Sequence, residues 1–490
     1  MDVTSGRLQG MGTLSKVEGP TLKADTLNLF DTTAIAVASV APAYSIAATT
    51  FLLVAAVGLG TPAIVVISFI PVLFVAMAYY FMNKRDPDCG ASYAWLARTM
   101  SPYIGWFNGW VQTAASVIFC IAAPVLAGTN TLALLESLGW ISSKTASSTV
   151  LTAVIGLAWL ILVSAMVIYG IRLTANFQWV MVGLEYMIVL AFSITGLVRA
   201  LAAHPAGSRV FSFSWLGPGS VGGVSGLAVG AALGVFLFWG WDTAVNLNEE
   251  SEEAASNPGI AGILSMFILL VIFLVNAASM ESLLPVHTIV SQGGNALFFF
   301  AQRLAPAPLN YLMLVAILSS TVATTQTTLL PASRVTYSMA RDGVFPKLFG
   351  KISPRFHTPA LGTFALFLIA GVGVTLTSFA PTVSSTFSNL IAQIGVLVAF
   401  YYGITGVACA WAYRRILFKS ATNLILAGIL PLVGGIFLFW VAYQVVVQGG
   451  VGTSLPILIT FGLGLPLVLS ARLFGRADFF HRKMVTYAAE

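Results

Sequence analysis

Phe238-Trp239-Gly240-Trp241-Asp242 interrupts an apolar run that extends from about residue 224 to residue 249. A carboxylate beside a glycine, in a segment of membrane-crossing length, is costly unless it lines a cavity or meets a partner. Glycine also weakens the helix and leaves backbone amides and carbonyls open. A second interruption, Ser39-Val40-Ala41-Pro42-Ala43-Tyr44-Ser45, lies in the first apolar run. Paired interruptions in two halves of a hydrophobic chain point to the solute site of a secondary transporter.

Composition sets the class. Of 490 residues, 58% are hydrophobic and only 8% charged, where a soluble protein carries about 25% charged residues. An all-α integral membrane protein is expected, with no stretch long enough for a second, soluble domain. Runs of about 20 apolar residues can cross a bilayer as helices. Twelve are read: 32–57, 61–82, 103–135, 147–169, 174–198, 224–249, 258–280, 309–340, 360–379, 386–413, 423–447 and 453–472. With the N-terminus in the cytoplasm, Lys144, Arg199, Arg209 and Arg303 fall outside and the other 19 of the 23 Lys and Arg residues fall inside. That bias predicts a multi-pass cell-membrane protein with both termini cytoplasmic. The expected layout is an N-terminal tail over 1–30, a transport core of spans 1–10 over 31–415, spans 11 and 12 over 416–472, and a C-terminal tail over 473–490. Loop 281–308 carries Asn295-Ala296-Leu297-Phe298-Phe299-Phe300-Ala301, apolar but too short to span. It reads as a re-entrant or surface-lying helix, either a lid or simple packing on helix ends.

Several function classes fall away. The formal charge of +6 comes from basic residues at segment ends, not from one solvated patch, so no nucleic-acid partner is expected. Cys89, Cys120 and Cys409 have no metal spacing, and no metal or cofactor is implied. No secretory signal peptide is evident. No G-x-x-x-x-G-K-[ST] motif occurs, which argues against ATP drive. His204, His287, His357 and His481 lie in loops or tails and pair with no nucleophile motif, so no catalytic residues are assigned and no enzyme is expected. A channel would want repeated carbonyl or charged rings, which are not evident.

Two carboxylates lie deep in spans, Glu185 in span 5 and Asp242 in span 6, whereas Asp31 and Glu136 sit near edges where they can reach headgroups. Asp242 reads as the partner of a substrate ammonium or as a carrier of the coupling proton; the bland alternative is a carboxylate that bonds the unwound backbone. Glu185 stands among Met181, Val182, Leu184 and Met187. A lone charge is costly there, which suits a proton carrier, or else a carboxyl fixed to a neighbouring helix. Span 8 holds Ser319-Ser320-Thr321-Val322-Ala323-Thr324-Thr325-Gln326-Thr327-Thr328. Some of these hydroxyls line a solute path or offer oxygens to a cation, with Ser319 and Ser320 the coupling candidates; others are interhelical glue. Around the two interruptions, Ala41, Ala43, Tyr44, Ser45, Phe236, Trp239, Gly240 and Trp241 are candidate substrate contacts. Pro42 ends a helical stretch, Tyr44 can close over a solute, and the tryptophans can stack on a cation or an apolar group or serve as helix contacts.

Three groups of stretches carry a family resemblance. Pro87-Asp88-Cys89-Gly90-Ala91-Ser92-Tyr93-Ala94-Trp95 with Gly105-Trp106-Phe107-Asn108-Gly109-Trp110 is one. Phe238 to Asp242 with Asn248-Glu249-Glu250 and Asn257-Pro258 is another. Ala332-Ser333-Arg334 with Ala340-Arg341-Asp342-Gly343-Val344-Phe345-Pro346 is the third. Together, over about residues 25–415, they resemble the amino acid–polyamine–organocation (APC) superfamily of permeases. The resemblance implies a LeuT-like five-plus-five inverted repeat, with spans 1–5 and 6–10 related, broken helices 1 and 6, and the solute between them. It also implies that Asp242 falls where arginine–agmatine and polyamine antiporters of the family have a glutamate. Glu185 falls near the lysine of proton-coupled members. Two departures matter. Pro42-Ala43-Tyr44-Ser45 replaces the Gly-Ser-Gly whose free amides hold a substrate carboxylate, and Glu185 replaces the lysine. Both shift expectation towards an amine. The reading is a secondary-active transporter working by alternating access on an amino acid or related organic amine. Proton coupling or exchange is preferred to sodium symport, and a polyamine or organic-cation carrier is the alternative. The expected partners are that small molecule, the lipid bilayer and a coupling proton.

Overall fold

Asn28 starts the first helix: its side chain accepts the Asp31 N–H at 2.9 Å, and Asp31 returns a bond to the Asn28 N–H, a reciprocal cap. Helix starts elsewhere use proline. Pro42, Pro62, Pro102 and Pro258 each stand in the first turn of a helix, where the missing N–H costs nothing. The computed structural model describes residues 21–379, 383–448 and 450–487. The helices are α1 (Leu29–Val40), α2 (Pro42–Val57), α3 (Thr61–Arg85), α4 (Ser92–Thr99), α5 (Pro102–Ser137), α6 (Ser143–Ala146), α7 (Thr149–Tyr169), α8 (Ile171–Ala203) and α9 (Gly223–Leu237). They continue as α10 (Thr243–Asn246), α11 (Asn257–Leu283), α12 (Val286–Gln292), α13 (Ala296–Leu304), α14 (Tyr311–Arg341), α15 (Ala360–Thr377), α16 (Val383–Tyr413), α17 (Leu430–Gln448), α18 (Gly450–Phe474) and α19 (Ala477–Phe480). Among the described residues the only extended pairing is one bridge between Leu27 and Ser251. The first twenty residues of the expected N-terminal tail lie outside the described ones.

Among the described residues ten helical stretches are long and apolar enough to cross a membrane; the first, Leu29–Arg85, contains α1, α2 and α3. The protein is a multi-pass membrane protein. Burial separates the centre from the rim. In α14 83% of the most apolar stretch is buried, against 22% in α18. α14 is therefore the central helix, and α18 is a peripheral one. Val180 and Met187 of α8 stay exposed on the rim, where lipid would cover them. Small residues let the inner helices touch. A Cβ on Gly156 of α7 would lie 2.5 Å from the Pro124 carbonyl of α5, so only glycine permits that approach.

Three details refine or correct the sequence expectation. The run over 224–249 is broken at the expected place, but its second part is shorter than expected: α9 ends at Leu237, and beyond the break only the single turn α10 and a 3₁₀ turn at Asn248–Glu250 follow. Asp31, expected to reach headgroups, is buried, because Arg172 at 2.6 Å and the Trp179 indole at 2.9 Å already satisfy it. The apolar stretch in loop 281–308 forms the expected short helix, α13, and Leu297, Phe300 and Ala301 are fully buried in it rather than lying on the surface.

Candidate functional site

The two interruptions meet. In the first, Ala41 takes a left-handed conformation (φ 53°, ψ 71°), which separates α1 from α2. Its neighbours are tied by side chains rather than by the helix. Ser45 donates to the Val40 carbonyl at 2.7 Å, Thr324 of α14 donates to the Ser39 carbonyl at 2.8 Å, and the Tyr44 N–H reaches Ser320 Oγ at 3.2 Å. In the second, Gly240 has φ 120°, and a Cβ there would lie 2.7 Å from the Ser39 carbonyl. Glycine thus serves twice, for a φ that side chains resist and for the close approach of the two breaks. Ser39 Oγ and Thr243 Oγ1, 2.8 Å apart, tie the breaks together.

Asp242 sits at this junction, 3% exposed. Tyr402 OH donates to its Oδ1 at 2.7 Å and Tyr401 OH to its Oδ2 at 3.1 Å, both from α16. Gln112 Nε2 of α5 approaches Oδ2 at 3.4 Å. Tyr401 OH in turn accepts the Trp239 indole N–H at 2.6 Å. Among the described residues no cationic side chain bonds Asp242, and its carboxyl group meets only neutral donors. Beside it lies a cavity of about 10 Å³, lined by Ser39, Gln112, Ser116, Trp239, Thr328 and Tyr401 among others. That is space for about one water molecule, so the junction is closed in this conformation.

An aromatic wall adjoins the cavity. Tyr44 meets Phe119 edge-on at 5.4 Å, Phe119 meets Trp239 at 5.3 Å, and Phe236 lies 6.3 Å from Trp239. Trp241 turns elsewhere: its ring packs on Tyr79 at 5.0 Å and Tyr402 at 5.1 Å, and it does not line the cavity. Ala41, Ala43 and Ser45 are buried in the break itself.

Glu185 of α8 stands at the α1–α2 break but shares no bonding partner with Asp242. It is fully buried, with the Ser320 hydroxyl and the Ala43 N–H nearby, yet among the described residues neither carboxylate oxygen makes a hydrogen bond. Most of the α14 hydroxyls bond carbonyls of their own helix: Ser319 to Ala316, Thr321 to Ile317, Thr325 to Thr321 and Thr327 to Ala323. Only Ser320 and Thr324 reach the broken segment, and Thr328 lines the cavity.

Below the junction a charged latch forms. Arg341 contacts both oxygens of Glu249 at 3.0 Å and Asp88 at 3.0 Å, and Arg98 bonds Asp86 at 2.6 Å and Asp88. Arg334 holds Glu250 through two bonds of 2.9 Å, both side chains being fully buried. Burial pushes the Asp88 carboxyl up, but Arg98, Arg341, the Gly90 N–H and the Ser338 hydroxyl outweigh it and hold it well below the usual carboxylate range. The latch joins the junction through Asn246, whose side-chain amide reaches the Cys89 carbonyl at 2.9 Å. Asp88, Cys89 and Glu249 place donor atoms within 4.8 Å of one another. The guanidinium of Arg341 already serves both carboxylates, at 3.0 Å from each.

The profile of the amino acid permease family matches residues 27–465, from just before α1 into α18. The chain belongs to the amino acid permease family. Its relatives are APC permeases. It is 26% identical over 408 residues to the branched-chain amino acid permease BcaP of Lactococcus lactis, covering 80% of this chain and 84% of that one. To the low-affinity putrescine importer PlaP of Escherichia coli it is 25% identical over 343 residues, 68% of this chain and 69% of the other. To a methylthioribose transporter of Bacillus subtilis it is 25% identical, over 74% and 77% of the two chains. The permease is therefore a membrane transporter of organic substrates.

Sequence reading missed Tyr401, Tyr402, Gln112 and Phe119, which surround the junction of this permease. Gln112, with Asn108, carried a signal: two amides inside an apolar run. The tyrosines carried none that distinguishes them from packing. Glu281 of α11 was also missed. It is fully buried beside Thr61, away from the junction.

Proposed function

We propose that this permease is a secondary-active transporter of an amino acid or related organic amine, working by alternating access. One observation carries the reading: Asp242 is buried where two broken helices touch, with neutral donors and no cation of its own. A buried carboxylate left in that state at a closed cavity suits a substrate ammonium. The proposed frame is twelve spans with both termini cytoplasmic, the first ten forming two inverted repeats of five. In that frame α1 and α2 are the halves of span 1, α9 and α10 the halves of span 6, and the charged latch closes the cytoplasmic side.

Tyr44, Ser45, Ala41, Ala43, Phe236, Trp239, Gly240 and Trp241 remain the proposed substrate-site set. Phe119, Gln112, Tyr401 and Tyr402 join it because they contact Asp242 or Trp239. Glu185, with Ser320 beside it, is the proposed coupling group, and Ser319 stands next to it on α14. Proton coupling or exchange is preferred to sodium coupling. The carbonyls of Ser39 and Val40, and the oxygen of Ser320, already take bonds within the broken segment, which leaves few oxygens for a sodium ion. A polyamine or organic-cation carrier is the second reading, favoured by Asp242 having no cationic partner and by the likeness to a putrescine importer.

A thermal-shift panel on purified protein tests the first reading against the second. A ligand at 100 times its dissociation constant stabilises by about 2.7 kcal/mol. A shift with α-amino acids supports a site that also holds a carboxylate. A shift with di- and polyamines alone supports the second reading. No shift, and no uptake, with either class would sink both.

A further inference from the structure

The lead into α1, the end of α7, the start of α8 and the loop before α15 enclose a cavity of about 290 Å³ at the rim of the bundle. Lys23, Arg172, Arg355 and His357 line it, with Tyr169 and Phe356, and the lining contains no carboxylate. Arg172 is the one lining cation with an ion pair, to Asp31 at 2.6 Å. Among the described residues, Lys23 and Arg355 have none. The Arg355 guanidinium is placed over the Phe356 ring at 5.3 Å. α8 begins at Ile171, so the first N–H groups of a 33-residue helix open into the same space and add a partial positive charge. Basic residues biased to one side of a membrane would scatter along the rim. Here three converge on one void with a helix start, Asp31 answers only Arg172, and the remaining like charges repel unless an anion joins them.

We propose that this cavity is a binding site for a phosphate-bearing anion, and that its occupant is the headgroup of an acidic membrane lipid. The surroundings select the lipid. Tyr169 and Leu173 are 60% and 48% exposed beside the cations, and Val180 continues the exposed apolar surface up α8. A headgroup in the cavity would leave its acyl chains along that surface. The void is also far larger than one water and reaches the chain just before α1, where Thr26 lines it and its N–H bonds the Glu250 carbonyl at 2.9 Å. A bound headgroup would therefore tether that segment to α8 and to the loop before α15.

The test uses the full chain, purified in neutral detergent, and reads thermal stability against added short-chain phosphatidylglycerol, short-chain phosphatidylcholine and inorganic phosphate. The variant is Lys23→Gln/Arg355→Gln, which leaves the Arg172–Asp31 pair intact. A charge-keeping control is Lys23→Arg/Arg355→Lys. Phosphatidylglycerol should stabilise the wild type and the control. The variant should need about thirtyfold more of it, from the loss of two cations near an anionic lipid. Phosphatidylcholine should act alike on all three. If inorganic phosphate protects as well as phosphatidylglycerol, and the variant loses that protection, the anion site stands and its occupant comes from solution. If wild type and variant respond alike to phosphatidylglycerol, or neither responds, the proposal fails.

Discussion

Asp242→Asn is the sharpest test of the site. The substitution keeps shape and nearly all packing. Asn retains a carbonyl oxygen for Tyr402 OH, now 2.7 Å from Oδ1, and its amide can donate to the Tyr401 hydroxyl now 3.1 Å from Oδ2. The folded state loses the difference between charged and neutral hydrogen bonds, about 1 kcal/mol each. It also no longer buries a carboxylate that lacks an ionic partner. These terms oppose each other, so the melting temperature should stay close to that of the wild type. An ammonium bound at the carboxylate loses far more. At about 4 Å and an effective dielectric constant of about 20, a charge pair is worth about 4 kcal/mol, or about a thousandfold in affinity. Uptake by proteoliposomes, measured well below saturation, should fall by that order for any amine-bearing substrate. Uptake within a few-fold of wild type, at unchanged stability, would refute the assignment of Asp242 to the substrate.

Three further outcomes are expected. Glu185→Gln should flatten the pH dependence of uptake, since Glu185 is the buried carboxyl at the α1–α2 break; an unchanged profile would leave it a structural role. Gly240→Ala should abolish transport, because the φ of 120° costs about 1–3 kcal/mol and the new Cβ meets the Ser39 carbonyl at 2.7 Å; normal uptake would mean that the breaks part easily. Asp88→Asn should destabilise equally at pH 5 and pH 8. The Asp88 carboxyl is held below the usual range in the folded state, so its contribution is complete above about pH 4, the unfolded-state value, and is lost only as pH falls further. A destabilisation that shrinks at pH 5 would contradict this.

What was legible in the sequence follows from where the information lies. The break at Gly240 could be read because glycine and aspartate are out of place in an apolar run. The break in the first run was located through Pro42, yet Pro42 begins α2 without distortion and the turn is made by Ala41. Alanine at positive φ leaves no trace in a sequence. The partners of Asp242 lie 159 and 160 residues away, and tyrosines in an apolar segment look like packing until the fold brings them in. Glu281 was passed over because it falls at the end of a run, where a carboxylate can reach water; the structure extends α11 to Leu283 and buries it. The stretches that resembled the family proved to share a place. Asp88, Glu249, Glu250, Arg334 and Arg341, quoted from three separate segments, form one latch.

That latch also indicates where an alternating-access permease of this construction would part. Opening towards the latch side requires the segment after α10 to leave the end of α14. Two ionic joints hold them. Glu250–Arg334 is fully buried, and separating its partners in the protein interior would cost about 3–5 kcal/mol. Arg341, 29% exposed, contacts Glu249 and Asp88 at the edge, and such pairs are worth up to about 1 kcal/mol each. The Arg341 joint is therefore the first to give, and the buried Glu250–Arg334 pair carries the larger part of the cost of parting. Cys89, buried between Asp88 and Glu249 and bonded through its N–H to Glu249 at 3.0 Å, is a built-in reporter of that motion. In a Cys120→Ala/Cys409→Ala background, Arg341→Gln should raise the rate at which a charged thiol reagent labels Cys89, by up to about thirtyfold for two lost pairs. Arg334→Gln should instead lower the melting temperature, since it strands a buried carboxylate. Faster labelling in Arg334→Gln without loss of stability, and none in Arg341→Gln, would make the buried pair the first to give.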